Sequence, residues 1–218
     1  MLSVSQFATA ASISVARARQ LAAGGQVRAE KVGSQWAIAD AEVVRWRASL
    51  SRPMAERIAW AAAVMADGGR AEWLESSERS RLRKRLNALS EADDAVGQVQ
   101  AWMRARGAVG WWRADEESLV AIAQRVRVSG VASAQARMSS GGFVEGYVQP
   151  SEVKSLVDDF WLVPAERGYG ELVLRVSEFA RGPVPRLIVA ADLADHGRSR
   201  EAGAAERVVR EVVEEGLW

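Results

Sequence analysis

Residues 2–49 read LSVSQFATAASISVARARQLAAGGQVRAEKVGSQWAIADAEVVRWRAS, and the N-terminal quarter of the chain is decided there. Ser3-Val4-Ser5-Gln6 has capping-box spacing, a hydroxyl at the cap and an amide three residues on. Phe7, Ala8 and Ala11 follow at helical spacing, which predicts a short first helix. Ser12-Ile13-Ser14 interrupts it, and Ser14 is placed to cap a second helix. There Ala18, Leu21 and Ala22 share one face at i, i+3, i+4, while Arg17, Arg19 and Gln20 lie off that stripe. Gly24-Gly25 ends the helix, because glycine takes the left-handed turn conformation without penalty. From Val27 to Ile38 the chain alternates in part and breaks at Gly33-Ser34, which predicts a hairpin with Lys31, Ser34 and Gln35 at its tip. Asp40 is placed to cap a third helix, with Val43, Val44 and Trp46 inward and Arg45 and Arg47 in water. Two short helices joined by a tight turn, then a hairpin and a closing helix, make a winged helix-turn-helix pattern.

Outward from this unit, Ser51-Arg52-Pro53 predicts a boundary, and three parts follow: 1–52, a helical connecting segment over 53–107, and an α+β unit over 108–218. Arg57 to Met65 reads as an alanine-rich helix ended by Asp67-Gly68-Gly69. Ser76-Ser77-Glu78 opens a basic helix whose Leu82, Leu86 and Leu89 mark one side, with Arg79, Arg81, Arg83, Lys84 and Arg85 read as solvated. Residues 92–106 read as a further helix, 108–113 and 125–132 as strands, and a short helix starts at Asp115. FVEGYVQ after Gly141-Gly142, residues 160–163 and residues 171–176 read as extended. A helix begins at Pro150, and residues 201–215 carry the clearest helical stripe, Ala205, Val208, Val209, Val212 and Val213. The expected class is therefore α+β.

Composition narrows the function. The 218 residues are 49% apolar and 26% charged, enough for a core without staples. With no cysteine, disulfides, a thiol nucleophile and cysteine-ligated zinc are excluded. A single histidine, His196, removes multi-histidine metal sites and argues against a histidine-based triad. No apolar run approaches the roughly 18 residues that span a bilayer, and the first residues lack the basic and apolar blocks of a secretory signal. A cytoplasmic protein without membrane contact is expected. The formal net charge of +1 hides a split. Residues 1–52 carry seven basic and three acidic side chains, whereas residues 141–218 carry nine and fourteen. A basic head and an acidic tail suggest two surfaces with different partners.

Enzyme signatures are weak. Gly168-Tyr169-Gly170 lacks a third glycine and a following helix, so it does not read as a phosphate loop. Asp158-Asp159 and Asp192-Asp195-His196 read more simply as solvated helical faces than as acid–base or metal groups. Trp111-Trp112 in a strand point to opposite sides. No catalytic residue, metal or cofactor is expected.

The ordered set of Ser-Val at the start, Ala8, Ile13-Ser14, Leu21, Gly24, Val32-Gly33 before Trp36 and Ile38, and the Asp40 helix with Trp46 resembles the excisionase/MerR-type winged helix-turn-helix family. The chain departs from that pattern at Ser12, where a turn glycine is usual, and at Ala10 and Ala11, where larger apolar residues are common. The resemblance implies a second helix in the major groove and a wing on the backbone or minor groove of double-stranded DNA. Ser14, Arg17 and Gln20 would then face DNA, with Arg19 at the edge and Lys31, Ser34 and Gln35 on the wing. Arginine can pair bidentately with guanine and glutamine with adenine, while Arg28 and Lys31 would meet phosphates. A single module of this kind binds weakly, which favours a homodimer on a palindromic operator. AEWLESSERSRLRKRL (71–86), GGFVEGYVQPSEVKSLVDDFWLVPA (141–165) and RLIVAADLADHGRSREAGAAERVV (186–209) are similar to actinobacterial helix-turn-helix antitoxins paired with AbiE-like nucleotidyltransferase toxins. That likeness implies an autoregulating repressor whose C-terminal region holds a toxin. The alternative is an excisionase-like architectural, recombination-accessory protein, which would bind tandem sites and bend them.

Overall fold

The computed structural model describes residues 1–11, 13–43, 46 and 53–218. Ser12, Val44, Arg45, Arg47 and the Ser51-Arg52 boundary lie outside the described residues. The fold is mixed α+β. Among the described residues no helix is long and apolar enough to cross a membrane.

The first unit opens with β1 (Leu2–Ser3), α1 (Val4–Ala10) and α2 (Val15–Ala23), followed by β2 (Ala29–Val32) and β3 (Gln35–Ile38). Ser3 caps α1 through the full capping box, its hydroxyl accepting from the Gln6 amide while the Gln6 side chain accepts from the Ser3 amide. Gly25, at φ 65, turns the chain out of α2. β2 and β3 pair antiparallel with Val32 opposite Gln35, so Gly33-Ser34 is a two-residue loop. Its first residue sits at φ 61, a conformation glycine adopts freely. β1 adds to the far side of β3, giving the order β1-β3-β2. Phe7, Leu21, Val27 and Ile38 form the centre of a small core closed by Trp36 and Val43. The chain is helical again at residues 41–43 and at 46.

The rest is a five-stranded mixed sheet between helical layers. The strands are β4 (Ala108–Arg113), β5 (Arg127–Ser129), β6 (Val144–Val148), β7 (Val163–Ala165) and β8 (Leu172–Val176), in the order β5-β6-β8-β4-β7. β6 and β8 run parallel, and every other pair is antiparallel. One face carries Val144, Val148, Leu172 and Leu174 and is covered by α6 (Glu116–Arg125) and α7 (Pro150–Asp159) through Leu119, Ile122 and Leu156. Alternation along the strands sends Glu145, Tyr147 and Arg175 to the opposite face. There α8 (Arg186–His196) lies against the sheet. Behind it pack α3 (Glu56–Ala66), α4 (Ser76–Leu89), α5 (Ala95–Trp102) and α9 (Ser199–Glu215). α3 and α8 are buried nearly all round, the pattern of central helices, whereas α4 buries only Leu82, Leu86 and Leu89 and α9 one stripe. The helices of 53–107, read as a connector, share one apolar cluster with α8 and α9.

Two extended readings are corrected. Residues 160–162 are the stop of α7: the Phe160 amide returns to Leu156 O at 3.2 Å and the Leu162 amide to Val157 O at 3.1 Å, with Trp161 left-handed at φ 51. Only Val163–Ala165 form a strand. The 125–132 segment keeps three strand residues, because Gly130 at φ 56 turns it into a 3-10 turn over 130–132.

Candidate nucleic-acid interface

α2 is positioned by its buried face. Ala18, Leu21 and Ala22 are inside, and Arg17, Arg19 and Gln20 are left in solvent on the other side. Ser14 is exposed, and its hydroxyl accepts from the Arg17 amide at 3.2 Å, so it fixes the start of the helix. The Arg17 guanidinium donates to Gln20 Oε1 at 2.8 Å. One turn of α2 thus holds a planar cation and an amide in register, the two chemistries that read guanine and adenine edges. Arg28 precedes β2, and Lys31, Ser34 and Gln35 sit together around the hairpin tip, all exposed. Among the described residues no hydrogen bond or ion pair joins the helix group to the hairpin group, and Arg19, Arg28 and Lys31 make no ion pair. These cations are therefore open to an external anion. On α4 the leucines are buried and Arg81, Arg83, Lys84 and Arg85 are exposed, as read, with Arg79 donating to Leu74 O.

Asp192, Asp195 and His196 do not line a solvated face. Asp192 is fully buried and Asp195 and His196 are partly so, because α8 turns this edge towards the sheet. Arg106, 1% exposed, donates to Asp192 Oδ1 at 2.7 Å, to Asp195 Oδ2 at 2.6 Å, to the Tyr147 hydroxyl at 3.0 Å and to Met103 O at 2.9 Å. Arg175 lies 2.9 Å from both Glu145 Oε1 and Asp192 Oδ1, and Ser129 donates to Asp192. His196 Nε2 closes on Glu145 Oε2 at 3.1 Å, with the Phe143 ring edge-on 5.4 Å from the imidazole. Burial pushes the Asp192 carboxyl up against the pull of Arg106 and Arg175. Burial also opposes ionisation of Asp195, but Arg106 and Arg175 outweigh it and hold that carboxyl well below the usual range. For His196, burial works against charge, yet the bond to Glu145 and the surrounding carboxylates raise its pKa.

No family model, curated protein or solved structure matches this chain. The roles of both clusters therefore rest on their own geometry. The ionic cluster is closed on itself, three carboxylates against two guanidiniums with the imidazole able to even the count, and no grouping of metal-binding type occurs among the described residues. It locks α8 onto β6 and β8. Sequence reading missed Arg106, Ser129, Glu145, Tyr147 and Arg175; the signal was a charge at alternate positions of otherwise apolar strands, Glu145 in FVEGYV and Arg175 in ELVLRV. Asp158 and Asp159 are exposed partners of Lys154 and Arg125. Gly168-Tyr169-Gly170 is a turn into β8. Trp111 and Trp112 take opposite faces, one beside Phe143 and the other in the α6–α7 layer, both half-buried.

Proposed function

We propose that the protein is a sequence-specific double-stranded DNA-binding regulator, the autoregulating antitoxin of a toxin–antitoxin pair. The observation that carries the reading is α2: a helix packed on α1 by Ala18, Leu21 and Ala22 that presents Arg17, Arg19 and Gln20 to solvent, the two arginines without an ion pair among the described residues and Arg17 set against Gln20. In this reading the α1–α2 pair is a helix-turn-helix and the β2–β3 hairpin its wing, Lys31 and Arg28 meeting phosphates while Arg17 and Gln20 read base edges. The α+β unit holds the toxin, and a second copy if the operator is palindromic. Binding and repression, rather than catalysis, are its work.

The test is anisotropy binding at fixed salt to the DNA upstream of the protein's own gene. Arg17→Ala should weaken binding by about 1–3 kcal/mol, roughly 5–150-fold, and relax preference at one base position. Equal binding by parent and variant to every duplex would refute base reading by α2. Co-expression with the product of the neighbouring gene tests the antitoxin role, growth rescue being the expected result.

A further inference from the structure

One cavity lies behind Trp60, which separates it from the ionic cluster. It is a cleft partly open to solvent, of about 200 Å³, where the middle of α3 meets the loop before α4 and the loop between β8 and α8. Its floor is Trp60 and Val64, its walls are Trp73, Phe179, Pro183 and Pro185, and Arg181 and Gly182 stand at its mouth. The walls are flat rings, and they are held. Trp60 donates to Arg106 O at 2.8 Å and meets the Tyr147 ring edge-on at 5.3 Å. Trp73 donates to Arg57 O at 3.2 Å and accepts from the Arg57 guanidinium at 3.3 Å, while its ring lies 5.5 Å from Phe179 at a 42° tilt. A preformed pocket of this kind spends little binding energy on ordering its own side chains.

Size and charge narrow the occupant. An apolar cavity of about 150 Å³ holds benzene, so this one takes a single six-membered ring with a short substituent. Trp73 and Phe179 offer π faces and edges, which favour a planar ring in offset or edge-on contact. Among the described residues the charged group lining it is Arg181, exposed, with its Nε bonded to Glu178 O at 3.3 Å and no ion pair. A guanidinium at the mouth of an aromatic slot selects a carboxylate on the ring's substituent.

We infer that this cavity is a binding site for a small monocyclic aromatic carboxylate, its ring packed against the contiguous Trp73–Phe179 pair and its carboxylate on Arg181. The site goes beyond the DNA-binding reading and is independent of it. The Trp60 bond to Arg106 O places a bound ring one residue contact from the ionic cluster that locks α8.

The experiment is fluorine NMR titration of the full chain with 4-fluorophenylacetate, with 4-fluorophenylacetamide as the neutral control. DNA is absent, so the outcome does not depend on the DNA-binding reading. For a ligand of this size the acid should saturate with a Kd on the order of 1 mM or tighter. The amide should bind at least about tenfold more weakly, as expected for loss of a charge-assisted pair. Arg181→Gln should remove that preference while leaving the amide's affinity unchanged. An added Cβ at Gly182 meets no atom within 4 Å and its backbone is not left-handed, so Gly182→Leu should fold normally, fill the mouth and abolish binding of both compounds. No saturable binding, equal affinity for acid and amide, or full binding by a folded Gly182→Leu chain would overturn the inference.

Discussion

Arg106→Met removes the guanidinium from a position that is 1% exposed and leaves an unbranched apolar side chain in its place. Asp192, fully buried, then keeps Arg175 at 2.9 Å and the Ser129 and Tyr147 hydroxyls, but loses its shortest cationic contact, 2.6 Å. Three carboxylates face one guanidinium. Stripping one partner from a buried ion pair costs about 3–5 kcal/mol, because the remaining charge is neither solvated nor paired. In a chain of this length that lowers Tm by about 6–20 °C. The assay is urea unfolding followed by tryptophan fluorescence and far-UV circular dichroism, with Asp192→Asn and the double variant completing a cycle. The double variant should be less damaged than the two singles combined, by about 0.5–3 kcal/mol. The pH dependence has a definite sign. Burial already raises the Asp192 carboxyl, and without Arg106 it rises further, so the folded variant binds a proton more readily than the unfolded one. The deficit relative to the parent should therefore shrink as pH falls from neutral. A deficit under about 1 kcal/mol, independent of pH and additive in the cycle, would refute the network's structural role.

Three other outcomes are expected. His196 has a raised pKa, so its pair with Glu145 contributes below the ordinary histidine value of 6.5 and is lost as pH rises through the raised folded value. Unfolding free energy should fall over that window in the parent and stay flatter in His196→Gln; identical slopes would contradict the assignment. Trp161 is left-handed at φ 51 and 87% exposed, so Trp161→Gly should raise stability by about 0.5–1 kcal/mol in the same urea assay, and a loss would show that the indole has a packing role. A Cβ at Gly170 would lie 2.4 Å from the Trp112 carbonyl oxygen, a backbone atom that cannot swing aside. Gly170→Ala should cost about 1–3 kcal/mol, measurable as a lower urea midpoint, and no change would mean that the end of the β4–β8 ladder yields more than its register suggests.

What was legible in the chain was local. The caps at Ser3, Ser14 and Asp115 and the glycine stops after α2 announce themselves over three or four residues, and the structure has them where the spacing puts them. The leucine stripe of α4 and the valine stripe of α9 are one-sided, so periodicity finds them. α8 shows itself only through the i, i+3 spacing of Asp192 and Asp195, because RLIVAADLADH is buried on nearly every side and has no apolar stripe to detect. The same burial explains why Asp192 was misjudged, since an Asp pair at i, i+3 in a helix looks solvated until its partners are known. Those partners are far off in the chain: Arg106 and Asp192 are 86 residues apart, and Arg175 and Glu145 are 30 apart. Charge pairing at that range leaves no local pattern, and only the parallel β6–β8 register brings Glu145 and Arg175 to one face. The apolar run at 160–162 misled for the opposite reason. Its residues favour strands, but the returning amides of Phe160 and Leu162 finish a helix.

Two of the three apolar clusters are also separated in time. Among the described residues the small core that seats α2 draws on positions up to Trp46, whereas the large one needs both Met54 and Val212. At about 5–20 residues per second of synthesis, the first can close roughly ten to thirty seconds before the second has its last helix. During that interval the nascent chain carries a finished N-terminal unit, while the alanine-rich surface of α3 still lacks α8 and α9 to cover it. The aggregation risk of the chain is concentrated in the same interval, and a premature stop anywhere before α9 would make it permanent.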